Sequence, residues 1–468
     1  MSEANNDDYD QQEKKVVPNC KFHSDSNENV NNELNNNSKP DKQKKSIFTA
    51  FGPGIVTCAS DDDPSGIATY SQAGAKFGLG MLWMAIFQFP IMVAIQEMCA
   101  RIGLITGKGL ANLIQQHYSK RYLYPIVVML LIANTINIGA DIGAMAAAVR
   151  LIIPELPILL ATLLFTIFTL VAEVLIPYNK YVRILKYLSL TLFAYVITAI
   201  IVGGNWNQIF FASVVPHFEL NSEFIMMFVA MLGTTISPYL FFWQTSEEAE
   251  EDVAKNKIKE IGKGEPKITN SDIKTMKADV SIGMFFSLFI AWSIIITSSG
   301  SLHLNGVTNI QSADQAAHAL EPVVKSFPNS GYIAKFIFAL GIIGTGLLAV
   351  PVLGGASAYA LSDTFGWKEG LGKKFRQAKQ FYAVIIASTV VGIWINFAGI
   401  DPIQALIYAA VINGVVSVPI IFTIMKIAND KKILHDRTNG FFSNIIGWFT
   451  FALMGFSVII MLLTWLTK

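Results

Sequence analysis

Charge is what this sequence is shortest of. Asp, Glu, Lys and Arg make up 15% of its 468 residues, against roughly 25% in a typical soluble domain. An ordinary cytosolic enzyme of this length is excluded on that ground, since two or three soluble domains would need far more polar surface. Cysteine is scarce too. Cys20, Cys58 and Cys99 show no metal-ligand or redox spacing, and no disulfide framework is expected. The histidines at positions 23, 117, 217, 303, 318 and 435 all fall outside the apolar runs, so those runs lack the group that titrates near neutral pH. No HExxH, phosphate loop or Ser/His/Asp set is present, and neither enzymatic chemistry nor a cofactor is expected. A net charge of +1 gives no sign of nucleic-acid binding.

What is there is apolar surface: 52% hydrophobic residues and a mean hydropathy of +0.45. Residues 1–46 stand apart. They are rich in Asn, Asp and Lys and cannot bury enough apolar surface to fold, which predicts a disordered cytoplasmic tail. The polar start is not followed by an early apolar core, so no cleavable signal peptide is expected. From residue 47 to 467 the chain reads as one transmembrane domain. Eleven apolar segments follow one another, roughly 48–77, 80–104, 122–150, 156–176, 181–203, 222–253, 278–300, 331–361, 380–398, 402–426 and 441–467. Each is near or above the ~20 residues that span hydrocarbon as a helix. The expected fold is therefore an all-α polytopic membrane protein of eleven transmembrane helices, with the lipid bilayer as its surroundings.

Basic residues give the orientation. With the N-terminus inside, 30 of the 35 Lys and Arg fall on the inner side. Only Lys76, Arg150, Lys325, Lys335 and Lys468 fall outside. The bias predicts a cytoplasmic N-terminus and an outer C-terminus, in a cell membrane. The outer loop 301–330 contains SADQAAHALEPVVKSF, read as a short helix over the outer mouth.

Two segments are poor continuous helices. Segment 1 reads GPGIVTCASDDDPSGIATYSQAGAKFG, with Asp61, Asp62, Asp63, Pro64, Ser65 and Gly66 in mid-span. Each carboxylate at that depth costs about 2.5–3.5 kcal/mol even on the low scale. Pro64 removes a backbone donor and Gly66 tolerates irregular angles. Such backbone is acceptable only where it is buried in protein or lines a wet cavity. Segment 6 reads FVAMLGTTISPYLFFWQTSEEAEE, broken around Gly233, Thr234, Thr235, Ser237 and Pro238. Segments 1 and 6 are the first members of two sets, 1–5 (residues 47–203) and 6–10 (residues 222–426), with segment 11 at 441–467. An odd number per set makes the two sets inverted repeats. Matching interrupted helices in two inverted halves point to a transporter's central site.

At these residues the chain resembles the Nramp family of divalent-metal transporters, within the amino acid–polyamine–organocation superfamily, over about residues 48–467. The resemblance implies a LeuT-type fold and a divalent metal ion as the transported partner. It makes Asp63 the metal-binding aspartate and places Ser60 and Thr234 where the family offers backbone carbonyls. Gly66 stands where the family has asparagine. Ser237-Pro238-Tyr239 replaces the family's Met-Pro-His, and Gln244 replaces a second histidine. In segment 3, ANTINIGADIGAMAAA keeps the family's aspartate as Asp141, with Asn134 and Ala144 where glutamates are usual. This pattern is most like the Nramp-related magnesium transporters.

The substitutions have a physical meaning. A thioether is a soft ligand that favours transition metals, and Ser237 removes it. Mg²⁺ wants octahedral oxygen and keeps several waters. Asp63 with Ser60, Thr234, Ser237 and Asn413 as oxygen donors suits it, and the small Ser237 and Gly66 leave room for water. Asp61, Asp62 and Asp141 are expected to form an acidic vestibule. With no imidazole and no segment 3 glutamates, a proton relay is poorly supplied. Two charges moving through ~100 mV, negative inside, supply about 4.6 kcal/mol, a little over three decades of concentration. Uncoupled, potential-driven Mg²⁺ uptake by alternating access is the expectation. The rivals are a proton-coupled Mn²⁺/Fe²⁺ symporter and an organic-solute carrier, which the three aspartates disfavour. Glu247, Glu248, Glu250, Glu251 and Asp252 read as a solvated helix end with a Glu251–Lys255 pair. Glu97–Arg101 reads as another such pair, and Glu173 as snorkelling to the interface.

Overall fold

The computed structural model describes residues 57, 60–176, 189–397 and 399–466. The polar tail lies outside them, as do most of residues 47–59 and all of 177–188. Among the described residues there is no strand, only an isolated bridge between Glu260 and Lys263.

The apolar segments are helices, labelled here by segment: α1 Pro64–Phe77, α2 Trp83–Thr106, α3 Lys120–Ile152, α4 Ile158–Leu175, α5 Phe193–Val202, α6a Ser222–Thr235, α6b Pro238–Ala254, α7 Asn270–Ser301, α8 Ser330–Phe365, α9 Lys379–Gly392, α10 Pro402–Ala428 and α11 Phe441–Leu466. Among the described residues, nine spans are long and apolar enough to cross a bilayer, or ten counting Leu190–Val202 with the helix that follows it. The remaining expected span, segment 1, is described over Pro64–Phe77.

Local chemistry sets the boundaries. Ser119 caps α3 by accepting from the amide of Arg121. Thr269 and Asp272 form a reciprocal capping box, which satisfies two otherwise orphan donors and starts α7 eight residues before the apolar run does. Gly107 ends α2 in a left-handed conformation, donating to the Gly103 carbonyl at 2.8 Å. One element was not legible. After Gly203 and Gly204, Asn205 caps a further helix, Trp206–Val214, turned by 119° from Leu190–Val202. Its Trp206, Phe210 and Phe211 are exposed, and Trp292 of α7 donates to its Ser213 at 2.9 Å.

Packing then sorts the helices. Residues facing outward on α4 and α11 are Leu163, Leu164, Ile167 and Phe168, and Phe449, Phe456 and Leu463. So much exposed apolar surface fits hydrocarbon, not water. The inward faces meet through small residues. A Cβ on Gly233 of α6a would lie 2.1 Å from the Ala410 carbonyl oxygen and 2.4 Å from the Gly414 nitrogen of α10. Only glycine allows backbones to approach so closely. The loop between α7 and α8 carries short helices at Ala313–Ala317 and Glu321–Val324, as the sequence suggested. Gln72 fastens it onto α1, accepting from the Ile310 amide at 2.8 Å and donating to the Thr308 carbonyl at 3.3 Å. In the same loop, the hydrogen bond from Lys335 at 2.6 Å holds the Asp314 carboxyl below its ordinary range.

The acidic run at the end of α6b is not a solvated helix end. Glu248 and Asp252 are buried, and Gln244 donates to Glu248 at 3.0 Å. Glu250 accepts from the Leu371 amide at 3.1 Å, from the Gly372 amide at 2.6 Å and from the Tyr359 hydroxyl. Solvation gives way to capture by the loop after α8. The Glu251–Lys255 pair is present at 2.9 Å, and so is Glu97–Arg101 at 3.5 Å. Glu173 does not snorkel: it is buried, with no hydrogen-bond partner for either oxygen among the described residues.

Candidate functional site

Both broken segments break where the sequence placed the breaks. The helical turn around Ser60 and Asp61 ends at Asp62 and Asp63, and α1 restarts at Pro64. Proline is well placed there, because the first helical amide has no partner to lose. Segment 6 stops at Thr235 and restarts at Pro238.

Asp63 is the N-cap of α1. Its Oδ1 accepts from the Gly66 amide at 2.8 Å and the Ser65 hydroxyl at 2.6 Å. Its Oδ2 accepts from Asn137 Nδ2 of α3 at 3.1 Å and lies 3.4 Å from the Tyr239 hydroxyl. A carboxylate at a helix N-terminus also gains from the helix dipole. Asp63 is buried, and among the described residues no Lys, Arg or His pairs with it. The negative charge is thus stabilised by neutral donors alone, which leaves it able to draw a cation.

The two breaks are sewn together. Tyr239, in the first turn of α6b, donates to the Ser60 carbonyl at 2.9 Å. Ser65 and Thr234 hydroxyls lie 3.3 Å apart, and Tyr70 and Thr235 hydroxyls 2.7 Å apart. Thr57 donates to Gln244 of α6b. Ser65 and Tyr239 thus link Asp63 to Thr234 and to the Ser60 carbonyl in one hydrogen-bonded cluster.

The other sequence candidates are placed as follows. Ser237 turns its hydroxyl onto the free carbonyls of its own break, 2.8 Å from Gly233 O and 2.7 Å from Thr234 O. Ser417 of α10 donates to the next one, Ile236 O, at 2.6 Å. Asn413 is buried on α10 with both amide atoms unpartnered among the described residues. It adjoins Gly414, hence the α6 break, but makes no hydrogen bond to Asp63. Gly66 packs near Thr234, whose Oγ1 would be 3.5 Å from a Cβ there.

The three residues of the expected vestibule stand on two elements. Asp61 and Asp62 both accept from Ser287 of α7, at 2.7 and 3.1 Å. Asp141 stands on α3. The chain turns sharply at residues 61–63, so consecutive carboxylates leave in different directions. Among the described residues no group of three or more His, Cys, Asp or Glu side chains is arranged to hold a metal. The site is one carboxylate amid neutral oxygens. An open cavity at the start of α10, lined by Gln311, Ile400, Asp401, Gln404 and Tyr408, includes none of these residues.

Asn137, Ser287 and Ser417 were not singled out from sequence. Asn137 had a signal, four residues before Asp141 in the same quoted stretch.

Solved structures share the architecture. The Eremococcus coleocola manganese transporter, in complex with an aromatic bis-isothiourea compound, superposes with a TM-score of 0.67 at 16% identity, covering 91% of this chain and 88% of that one. MhsT in complex with L-phenylalanine superposes with a TM-score of 0.59 at 11% identity, covering 88% and 98%. Two relatives described as divalent metal cation transporter MntH come from Klebsiella pneumoniae. That of strain 342 is 24% identical over 423 residues, and that of strain ATCC 700721 is 25% identical over 423 residues. Each alignment covers 89% of this chain and 94% of the relative. The family model for Nramp, natural resistance-associated macrophage protein-like, matches residues 54–464. This multi-pass membrane protein, with its two broken helices, belongs to the Nramp family.

Proposed function

We propose that the chain is a divalent-cation transporter that takes Mg²⁺ into the cell by alternating access about the breaks of segments 1 and 6, driven by membrane potential without proton coupling. The observation that carries this reading is the donor set. Asp63 is the single carboxylate, and the groups around it are the Ser60 carbonyl and the Ser65 and Thr234 hydroxyls, with the Tyr239 hydroxyl bonded to the Ser60 carbonyl where the ion would displace it. Positions 237 and 239 supply hydroxyls, not a thioether and an imidazole. Mg²⁺ is bound through one or two carboxylates while keeping several waters, and soft metals prefer sulfur or imidazole. Asp63 anchors the charge. Ser60, Thr234, Ser237 and Asn413 offer further oxygens, Ser237 by releasing the carbonyls it now holds. The Lys- and Arg-rich end, which includes the loops after α2, α6b, α8 and α10, faces the cytoplasm of a cell membrane.

The name of the Eremococcus coleocola manganese transporter suggests a second reading, a proton-coupled carrier of Mn²⁺ or Fe²⁺. Flux in proteoliposomes separates the two. A Mg²⁺ carrier takes up Mg²⁺ at constant lumenal pH and loses little of it to equimolar Mn²⁺. Mn²⁺ uptake undiminished by a hundredfold excess of Mg²⁺, with lumenal acidification, would sink the Mg²⁺ reading.

A further inference from the structure

Helix α3 carries a line of buried oxygens that have no donors among the described residues. Asn134, Asn137 and Asp141 are spaced by three and four residues, which puts them on one helix face, and all three are fully buried. The amide groups are already committed. Asn134 Nδ2 donates to the Leu353 carbonyl at 3.1 Å and to Ser357 at 2.9 Å, and Asn137 Nδ2 donates to Asp63. A carboxylate needs the donor end of Asn137, so the oxygen end must point elsewhere. What remains unpartnered is acceptor only: Asn134 Oδ1, Asn137 Oδ1 and both oxygens of Asp141. Buried acceptors without donors cost free energy unless a cation or hydrogen reaches them.

Asp141 can be located by its neighbours. Asn137, one turn before it, holds Asp63. Met145, one turn after it, shares the space beside Gly346 with Pro64: a Cβ on Gly346 would be 2.8 Å from Met145 Sδ and 3.3 Å from Pro64 Cγ. Residues on both sides of Asp141 thus reach the break of segment 1. Four residues of helix rise about 6 Å, directed away from the basic end. Met145 stands one further turn along α3.

We propose that α3 forms a second cation station, made by the Asp141 carboxylate and Asn137 Oδ1, one helical turn outward from Asp63. It rests on the proposal that a divalent cation passes Asp63. The ion enters at Asp141 with most of its waters and is handed to Asp63, with Asn137 touching both positions. Two stations one turn apart give a path in which each site binds weakly enough to release.

Asp141→Asn tests it in proteoliposomes, with uptake of Mg²⁺, Ca²⁺ and Mn²⁺ measured against concentration. Asparagine matches a protonated aspartate in shape, and its amide can donate to Asn137 Oδ1, so folding is retained. The half-maximal concentration should rise at least tenfold for whichever ion the wild type carries, and Asp141→Glu should return to within threefold. Uptake by Asp141→Asn within twofold of wild type would overturn the station, because a neutral or structural aspartate would then suffice. Where Asp141→Asn is not recovered as monodisperse protein, Asp141→Ser takes its place with the same two outcomes. Wild type that carries none of the three ions overturns both the station and the proposed function; wild type that transports, beside an unchanged variant, overturns the station alone.

Discussion

The Tyr239 hydroxyl donates to the Ser60 carbonyl at 2.9 Å and stands 3.4 Å from Asp63 Oδ2. One phenol from α6b therefore occupies two of the oxygens proposed to hold the ion. Tyr239→Phe removes this competitor. The Ser60 carbonyl then loses a donor in the ion-free protein, a penalty of about 1–3 kcal/mol for a buried acceptor that a bound cation relieves. The expected result is a lower melting temperature without ion and a roughly fivefold or greater tightening of half-maximal uptake, at about 1.4 kcal/mol per tenfold. Titrated flux together with a thermal melt checks it. Weaker apparent affinity would show that Tyr239 helps bind the ion instead.

Asp63 caps α1 and is proposed to anchor the ion's charge, and Asp63→Asn separates the two. Asparagine caps helices about as well as aspartate, so the Gly66 amide keeps an acceptor and α1 keeps its start. The charge is gone. Uptake should fall at least a hundredfold while size-exclusion behaviour and melting temperature stay near wild type. Transport within tenfold of wild type would remove Asp63 from the ion site.

Gly233 is where α6a and α10 touch backbone to backbone. Gly233→Ala must push apart the Ala410 carbonyl and the Gly414 amide, 2.1 and 2.4 Å from the new Cβ. No side chain can give way there, so the cost should reach or exceed the ~1–3 kcal/mol usual for overpacking. Gly455→Ala is the control, since its Cβ would meet Val418 at 3.6 Å, an ordinary contact. Thermal melts should show a clear drop for the first and none for the second.

The same residues show what the sequence could reveal. A proline beside three aspartates in an apolar run admits only a buried or wet break, so the place of Asp63 was legible. Direction was not. Whether Asp61 and Asp62 follow Asp63 or turn to Ser287 depends on dihedrals at the helix end, and sequence spacing across a turn does not encode them. Asn137 was hidden for another reason: amides in membrane helices commonly serve as packing contacts, and its partner is 74 residues away in sequence. Ser237 read as an ion donor because its position matched a ligand in the family. The structure gives its hydrogen to the carbonyls that the break itself sets free. The acidic run read as solvated because the amides of Leu371 and Gly372 lie more than a hundred residues further along the chain.

Glu250 joins α6b to that loop through two backbone amides and a phenol. In the proposed alternating access one bundle would rock against the other, and these bonds tie α6b to the loop after α8. Glu250→Gln removes the charge from three hydrogen bonds, and charged bonds are about twice as strong as neutral ones. Hydrogen exchange at Leu371 and Gly372 should quicken by about tenfold or more, with unchanged exchange along α3. Equal protection in the variant would mean that the loop is held by other contacts.

The driving force can be read from an end point instead of a rate. Without proton coupling, a divalent ion stops accumulating when its gradient balances twice the membrane potential. At 50 mV, negative inside, that is about 2.3 kcal/mol, or roughly a fiftyfold excess inside. At zero potential, uptake should end at equal concentrations whatever the pH gradient. Setting the potential with valinomycin and potassium, and reading internal Mg²⁺ and lumenal pH together, gives both numbers. Proton symport would add the pH gradient to the end point, so an inward proton gradient of one unit would carry accumulation tenfold further for each proton moved. The path holds aspartates but lacks the groups expected of a proton relay. The spans hold no histidine, and α3 has Asn134 and Ala144 where the family usually carries glutamates. The end point should therefore follow potential alone.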